Sequence, residues 1–188
     1  MKIIFAGTPE IVLETLSKIH ASSNEITLIL TNEDKPFGRG KKIKKPPVKI
    51  FAEDNNIDLK QPKNLKDEGL LDFLKSKEAD LLLVFAYGHL VPEEILNVFK
   101  MGALNIHTSL LPKLRGAAPI QRAILNGDKE TGITFMKMEK GLDTGPIYEQ
   151  EIIKISDQET SESLTEKMSK VSSRKILQIV DNIEKNNF

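Results

Sequence analysis

Ala79-Asp-Leu-Leu-Leu-Val-Phe-Ala86 is an apolar run of strand length, interrupted only by Asp80. A strand with one wet face alternates apolar and polar residues, whereas a strand covered by helices on both faces stays apolar throughout. The segment is therefore expected inside a parallel sheet. Toward the N-terminus, Ile3 to Ala6 and Glu25 to Leu30 read as further strands, the first ending in the turn residues Gly7-Thr8-Pro9. Between them Ile11, Leu13, Leu16 and Ile19 recur at near-helical spacing. Val48 to Asn55 and Asp67 to Lys77 read as helices, the second with Leu70, Leu71 and Leu74 on one side. Strands alternating with helices imply right-handed crossovers and an α/β fold: a doubly wound, mostly parallel sheet with helices on both faces.

Toward the C-terminus, Glu93 to Phe99 follows Pro92 as a short helix, and Ala103 to Ile106 is a strand whose C-terminal end delivers His107. From Thr131 the pattern changes. Ile133, Phe135 and Met138 form an apolar-rich run, the loop Gly141-Leu-Asp-Thr-Gly-Pro146 follows, and Ile147 to Ile155 alternates, so an antiparallel addition to the sheet is expected. Thr160 to Ile183 reads as a closing amphipathic helix, opened by Thr160 or Ser161 and carrying Leu164, Met168, Val171, Ile176, Ile179 and Val180. The 188 residues suffice for one good core, and a single domain is the expectation.

Lysine plus arginine balances aspartate plus glutamate at 27 each, so affinity for a polyanion must come from a local patch. The absence of cysteine removes disulfides, thiol nucleophiles and thiolate metal sites, and leaves nitrogen and oxygen groups for chemistry. No metal-ligand cluster is visible and no metal is expected. The apolar run at the N-terminus is too short for a signal peptide, and no stretch reaches membrane-spanning length. A soluble, cytoplasmic monomer without a membrane partner is the expectation.

One basic patch stands out. Residues 31–47, Thr-Asn-Glu-Asp-Lys-Pro-Phe-Gly-Arg-Gly-Lys-Lys-Ile-Lys-Lys-Pro-Pro, are read as a long cationic loop. Connections beyond about a dozen residues in a compact domain are usually functional or disordered. A solvated basic surface explains the lysines without any function. The loop follows a parallel strand, however, and so leaves the sheet at the edge where open α/β sheets bind ligands, in a place to track phosphates.

Candidate chemistry lies further on. Asn105 and His107 are two apart on an extended segment and point to one side, which places an amide donor and an imidazole on one surface. The stretch from Thr108 to Ile120 holds Pro112, Gly116 and Pro119, and is expected to form a fixed, turned loop. Asp143 sits between Gly141 and Gly145. Taken singly, Asn105 suits a strand end, His107 a hydrogen-bonded core histidine and Asp143 an ordinary turn. Spacing does not join Asp143 to the other two.

The run Asn105-Ile-His-Thr-Ser-Leu-Leu-Pro112, continued by Arg115-Gly-Ala-Ala-Pro-Ile-Gln-Arg122, resembles the signature of formyltransferases that use 10-formyltetrahydrofolate. Phe5-Ala-Gly-Thr-Pro-Glu10, Lys35-Pro-Phe-Gly-Arg-Gly-Lys-Lys42 and Gly141-Leu-Asp-Thr-Gly-Pro146 resemble, in the same order, the members that act on methionyl-tRNA. The resemblance implies a Rossmann-like formyltransferase fold, with residues 1–188 as the catalytic domain and without the β-barrel domain that usually follows it. It further implies that Asn105, His107 and Asp143 are catalytic: Asn105 and protonated His107 as donors to the formyl oxygen, Asp143 orienting His107 and helping to move the proton. For the folate co-substrate it points to Phe85, Ala86, Tyr87, Gly88, Leu90, Ser109, Leu110, Leu111, Pro112 and Leu142. For methionyl initiator tRNA it points to Arg39, Lys41, Lys42, Lys44 and Lys45, with Thr8 and Pro9 shaping the approach of the aminoacyl end. His89 is read as a rim residue and His20 as structural. Two other readings stand beside this one: formyl transfer to a small amine, such as glycinamide ribonucleotide or an amino sugar nucleotide, and a non-catalytic RNA- or folate-binding module.

Overall fold

Among the residues described by the structure, a computed structural model covering 1–37, 42–67 and 69–186, the main sheet has seven strands in the order β5-β2-β1-β6-β7-β8-β9. In chain order the elements are β1 (Lys2–Gly7), a 3-10 turn (Glu10–Val12), α1 (Leu13–His20), β2 (Glu25–Leu30), β3 (Lys35–Phe37), β4 (Lys42–Lys44), α2 (Pro47–Asp54) and β5 (Leu59–Lys60). There follow α3 (Leu70–Ser76), β6 (Leu81–Phe85), α4 (Glu93–Leu96), β7 (Ala103–His107), α5 (Pro119–Leu125), β8 (Glu130–Lys137), β9 (Ile147–Lys154) and α6 (Ser161–Glu184).

The apolar run at 79–86 supplies β6, whose five residues are all buried, and it pairs in parallel with β1 on one side and β7 on the other. The chain winds outward from β1 through β2 to β5, then restarts on the opposite side of β1 with β6 and β7. The direction of winding therefore reverses between β1 and β6, which opens a crevice at the C-terminal ends of these strands. β8 and β9 add on antiparallel beyond β7, as the change of pattern after Thr131 implies.

Successive strand residues feed two cores. Ile3, Phe5, Leu81, Leu83, Leu104, Ile106, Ile133 and Phe135 face α1, α2, α5 and α6, while Ile4, Ala6, Leu82, Val84 and Ala103 face α3 and α4. The closing helix seals the larger core with Leu164, Met168, Ile176, Ile179 and Val180, all fully buried. Each such side chain contributes about 1.5–3 kcal/mol by leaving water. Thr160 is the N-cap of α6: its Oγ1 accepts from Ser163 N at 3.1 Å, and Ser163 Oγ accepts from Thr160 N at 3.1 Å, a capping box. Among the described residues no helix is long and apolar enough to cross a membrane.

Three segments depart from the expected pattern. The 31–47 segment carries an antiparallel pair, β3 with β4, in which Pro36 stands opposite Ile43. Its strands are three residues each, too short for apolar alternation to mark them. α5, Pro119–Leu125, begins inside the last two residues of the loop expected over 108–120, because Pro119 supplies the pre-set φ of a first helical position. β5 is only two residues long, below the length at which periodicity has meaning.

Candidate active site

Leu104 and Ile106 point into the larger core, so Asn105 and His107 must point to the other face, at the C-terminal end of β7. Asp143 arrives from the loop between β8 and β9. That loop is tight: a Cβ at Gly145 would stand 1.9 Å from Lys137 O, and Asp143 itself holds φ of 51°, a left-handed conformation that aspartate tolerates better than most residues. The turn brings its carboxylate to the end of β7. Asp143 Oδ1 accepts from Asn105 Nδ2 at 3.3 Å, and Oδ2 lies 3.6 Å from His107 Nδ1. Asp143, which spacing could not join to Asn105 and His107, thus forms one cluster with them, with His107 and Asp143 only 8% and 11% exposed.

Two backbone groups complete the cluster, and sequence reasoning missed both. His107 Nε2 is 3.0 Å from Leu114 O, and Gly116 N donates to Asp143 Oδ2 at 2.8 Å. Leu114 and Gly116 have φ of 55° and 82°, which turns these groups toward the side chains. Asp143 is thus anchored by Gly116 and Asn105 rather than by His107, since 3.6 Å exceeds a hydrogen bond while remaining within ion-pair reach. Asn105 has a second amide proton not engaged by Asp143. The only signal for the backbone partners was the Pro and Gly content of the 108–120 stretch.

The cluster lies against a cavity of about 560 Å³, within the range that holds drug-sized ligands. Its walls are residues 84–91, 105–108, 116–119 and 141–143, with Met136, Met138 and Glu139. Of the residues assigned to folate by resemblance, Phe85, Ala86, Tyr87, Gly88, Leu90 and Leu142 are on this lining. Their side chains play different parts. Phe85 and Tyr87 are buried in the two separate cores, and among the described residues the Tyr87 hydroxyl has no hydrogen-bond partner; desolvation pushes its phenol pKa up. They reach opposite faces because Ala86, with φ of 48°, interrupts the strand alternation between them. Leu90 and Leu142 are 73% and 59% exposed and give the cavity an uncovered apolar mouth. His89 packs its ring 4.9 Å from that of Tyr87. Ser109, Leu110, Leu111 and Pro112 are not on the lining; Ser109 and Leu111 bond to Thr134 of β8, and Leu110 seats against Gly132.

The basic segment is rooted beside the same crevice. Thr8 Oγ1 and Asn32 Nδ2 both donate to Tyr87 O, at 3.3 and 3.2 Å, tying together the ends of β1, β2 and β6. Pro9, exposed, caps the 3-10 turn that follows. Lys49 Nζ donates to both Asp34 oxygens and to Gln61 Oε1, while Gln61 Nε2 donates to Asn32 O and Asp34 Oδ1. The Gln61 and Lys49 hydrogen bonds hold the Asp34 carboxyl below the usual carboxylate range. Lys42 and Lys44 are on β4, and Lys45 pairs with Glu53 at 2.7 Å. Arg39 and Lys41 lie outside the described residues.

The chain matches the Formyl transferase family over residues 1–180. It is 44% identical over 183 residues to methionyl-tRNA formyltransferase of Thermodesulfovibrio yellowstonii, covering 97% of this chain and 59% of that protein. To the enzyme of the same description from Coxiella burnetii it is 43% identical over 185 residues, covering 98% and 59%. It therefore spans a little under two thirds of the length of these relatives. Among solved structures, phosphoribosylglycinamide formyltransferase from Bacillus halodurans superposes with a TM-score of 0.77 at 25% identity, over 93% of this chain and 90% of that one. The sheet that reverses its winding between β1 and β6, the polar cluster at the end of β7 and a match over nearly the whole length lead to one conclusion: the chain belongs to the formyl transferase family.

Proposed function

We propose that the chain transfers the formyl group of 10-formyltetrahydrofolate to the free amino group of methionyl initiator tRNA. The observation that carries this reading is the meeting of Asn105, His107 and Asp143 on one wall of the cavity. The amine nitrogen attacks the formyl carbon, negative charge grows on the formyl oxygen, and the bond from carbon to the folate nitrogen then breaks. Donors already aimed at that oxygen stabilise the transition state without reorganising. The second amide proton of Asn105 and a protonated His107 ring fill this role. Asp143, fixed by Gly116 N, takes the proton released by the attacking amine and passes it to the departing folate nitrogen.

The cavity residues fit a folate. Leu90 and Leu142 at the mouth offer apolar surface to a flat ring, and residues 86–88, turned by the positive φ of Ala86 and Gly88, present backbone groups at the wall. The acceptor assignment is supported by the relatives named for methionyl-tRNA and by the basic segment rooted at the crevice. The test is to incubate the chain with 10-formyltetrahydrofolate and, separately, methionyl initiator tRNA, glycinamide ribonucleotide, an amino sugar nucleotide, or no acceptor. Transfer to the tRNA alone is expected. Transfer to a small amine reassigns the acceptor, and no transfer to any of them makes the chain a binding module.

A further inference from the structure

His107 stands opposite Thr134 on β8, and Thr134 stands opposite Gln150 on β9. Residues directly opposed on antiparallel strands project to the same face, so the three side chains form a row across the sheet. The segment that starts at Ser109 is bonded to this row. Thr134 Oγ1 donates to Ser109 O at 2.7 Å and accepts from Leu111 N at 3.1 Å and from Gln150 Nε2 at 2.8 Å, which uses the full capacity of a hydroxyl. Gln150 Nε2 also donates to Leu111 O at 3.0 Å, so both backbone groups of Leu111 are held. Ser109 Oγ donates to Lys113 O at 2.6 Å across the turn. Between these bonds Leu110 seats against β8 at a position without a side chain: a Cβ at Gly132 would lie 2.5 Å from Leu110 Cδ2 and 2.1 Å from Glu151 O.

The residues next along the chain are those whose backbone groups meet the cluster, Leu114 O on His107 Nε2 and Gly116 N on Asp143 Oδ2. We propose that Thr134 and Gln150 are positioning residues: they fix the 109–113 turn on the sheet and thereby set where Leu114 and Gly116 hold the imidazole and the carboxylate. The catalytic part of the proposal rests on the formyl transfer reaction proposed above. Thr134 is fully buried and neither residue lines the cavity, so their effect falls on the reacting geometry and not on donor affinity.

The test uses the 188-residue chain with Thr134→Val, Thr134→Ser and Gln150→Met, the last at an exposed position where core packing is untouched. Three quantities are read: single-turnover formyl transfer, Kd for the folate donor, and exchange of the His107 Nε2 proton with water by ¹⁵N NMR. A misplacement of about 1 Å costs on the order of 100-fold in rate, so Thr134→Val should slow transfer by about 10–100-fold. Gln150→Met, which loses hydrogen bonds but leaves the hydroxyl, should slow it by about 5-fold. Donor Kd should change by less than about 2-fold while His107 proton exchange speeds up in both variants, and Thr134→Ser should restore both rate and protection. Wild-type proton exchange in a folded Gln150→Met overturns the proposal, and that variant decides if Thr134→Val does not fold. If the wild-type chain transfers no formyl group, the reaction proposed above fails, and proton exchange at His107 alone then supports or overturns the brace.

Discussion

Replacing Asp143 by asparagine isolates the carboxylate from the turn that carries it. Asparagine tolerates the φ of 51° at this position, so the loop between β8 and β9 keeps its path. The two oxygens of Asp143 serve two donors, Gly116 N at 2.8 Å and Asn105 Nδ2 at 3.3 Å. A carboxamide has one oxygen. It will turn that oxygen to Gly116, the shorter bond, and set its own NH2 against that of Asn105. Losing a charge-assisted hydrogen bond costs about 1.5–3 kcal/mol. At about 2–4 °C per kcal/mol for a chain of this size, Tm should fall by about 3–12 °C. The larger effect is on chemistry. The carboxylate that faces the His107 ring at 3.6 Å is lost with the substitution, and losing one group preorganised for the transition state costs a hundredfold to thousandfold, about 2.7–4 kcal/mol. Single-turnover transfer at saturating donor should therefore fall by about 100–1000-fold, with folate affinity changed only a few-fold. A folded Asp143→Asn protein within about 3-fold of the wild-type rate refutes the assignment of Asp143 to the reaction.

Other perturbations probe separate parts of the molecule. Leu142→Ser removes apolar surface from the mouth of the cavity and should raise KM for the folate donor by about 5–30-fold, from about 1–2 kcal/mol of lost burial, while Tm stays unchanged because the side chain is already 59% exposed. Lys41→Glu with Lys42→Glu should weaken tRNA binding and flatten its dependence on salt while folate binding persists; an unaltered salt slope removes the segment from the RNA interface. Gly145→Ala places a methyl group 1.9 Å from Lys137 O, which cannot yield cheaply, and should cost about 1–3 kcal/mol in chemical denaturation. Lys167, and after it Ser163, lower the Glu159 carboxyl from 4.5 to about 2. A depressed acid stabilises the fold above its unfolded value and loses that contribution as pH falls, here between 4.5 and about 2. Unfolding midpoints across that window should fall in the wild type and lose this part of their slope in Glu159→Gln.

The strands and long helices are legible in the sequence because each buries a stripe or face that repeats at its own period. Leu104, Asn105, Ile106 and His107 alternate between core and site, and that alternation by itself makes the amide and the imidazole neighbours. Asp143 is not legible in this way, since it approaches through a loop and its placement depends on the path of β8. Leu114 O and Gly116 N are invisible because every residue carries the same backbone groups, and only conformation decides which are aimed at a site. Phe85 and Tyr87 show the converse. Two residues apart, they would share a face in a regular strand, and a single left-handed residue sends them into different cores. β3, β4 and α5 escape notice because charge or shortness hides their period.

The closing helix α6 packs against α1, α5, β8 and β9 and seals the larger core beneath β7. Its residues come after every group in the cluster, so during synthesis Asn105, His107 and Asp143 all emerge while the strands that hold them still lack the part of their apolar lining that α6 supplies. An α/β chain emerging from the ribosome can pair its strands early, yet the larger core of this one stays open to water along that side until α6 docks.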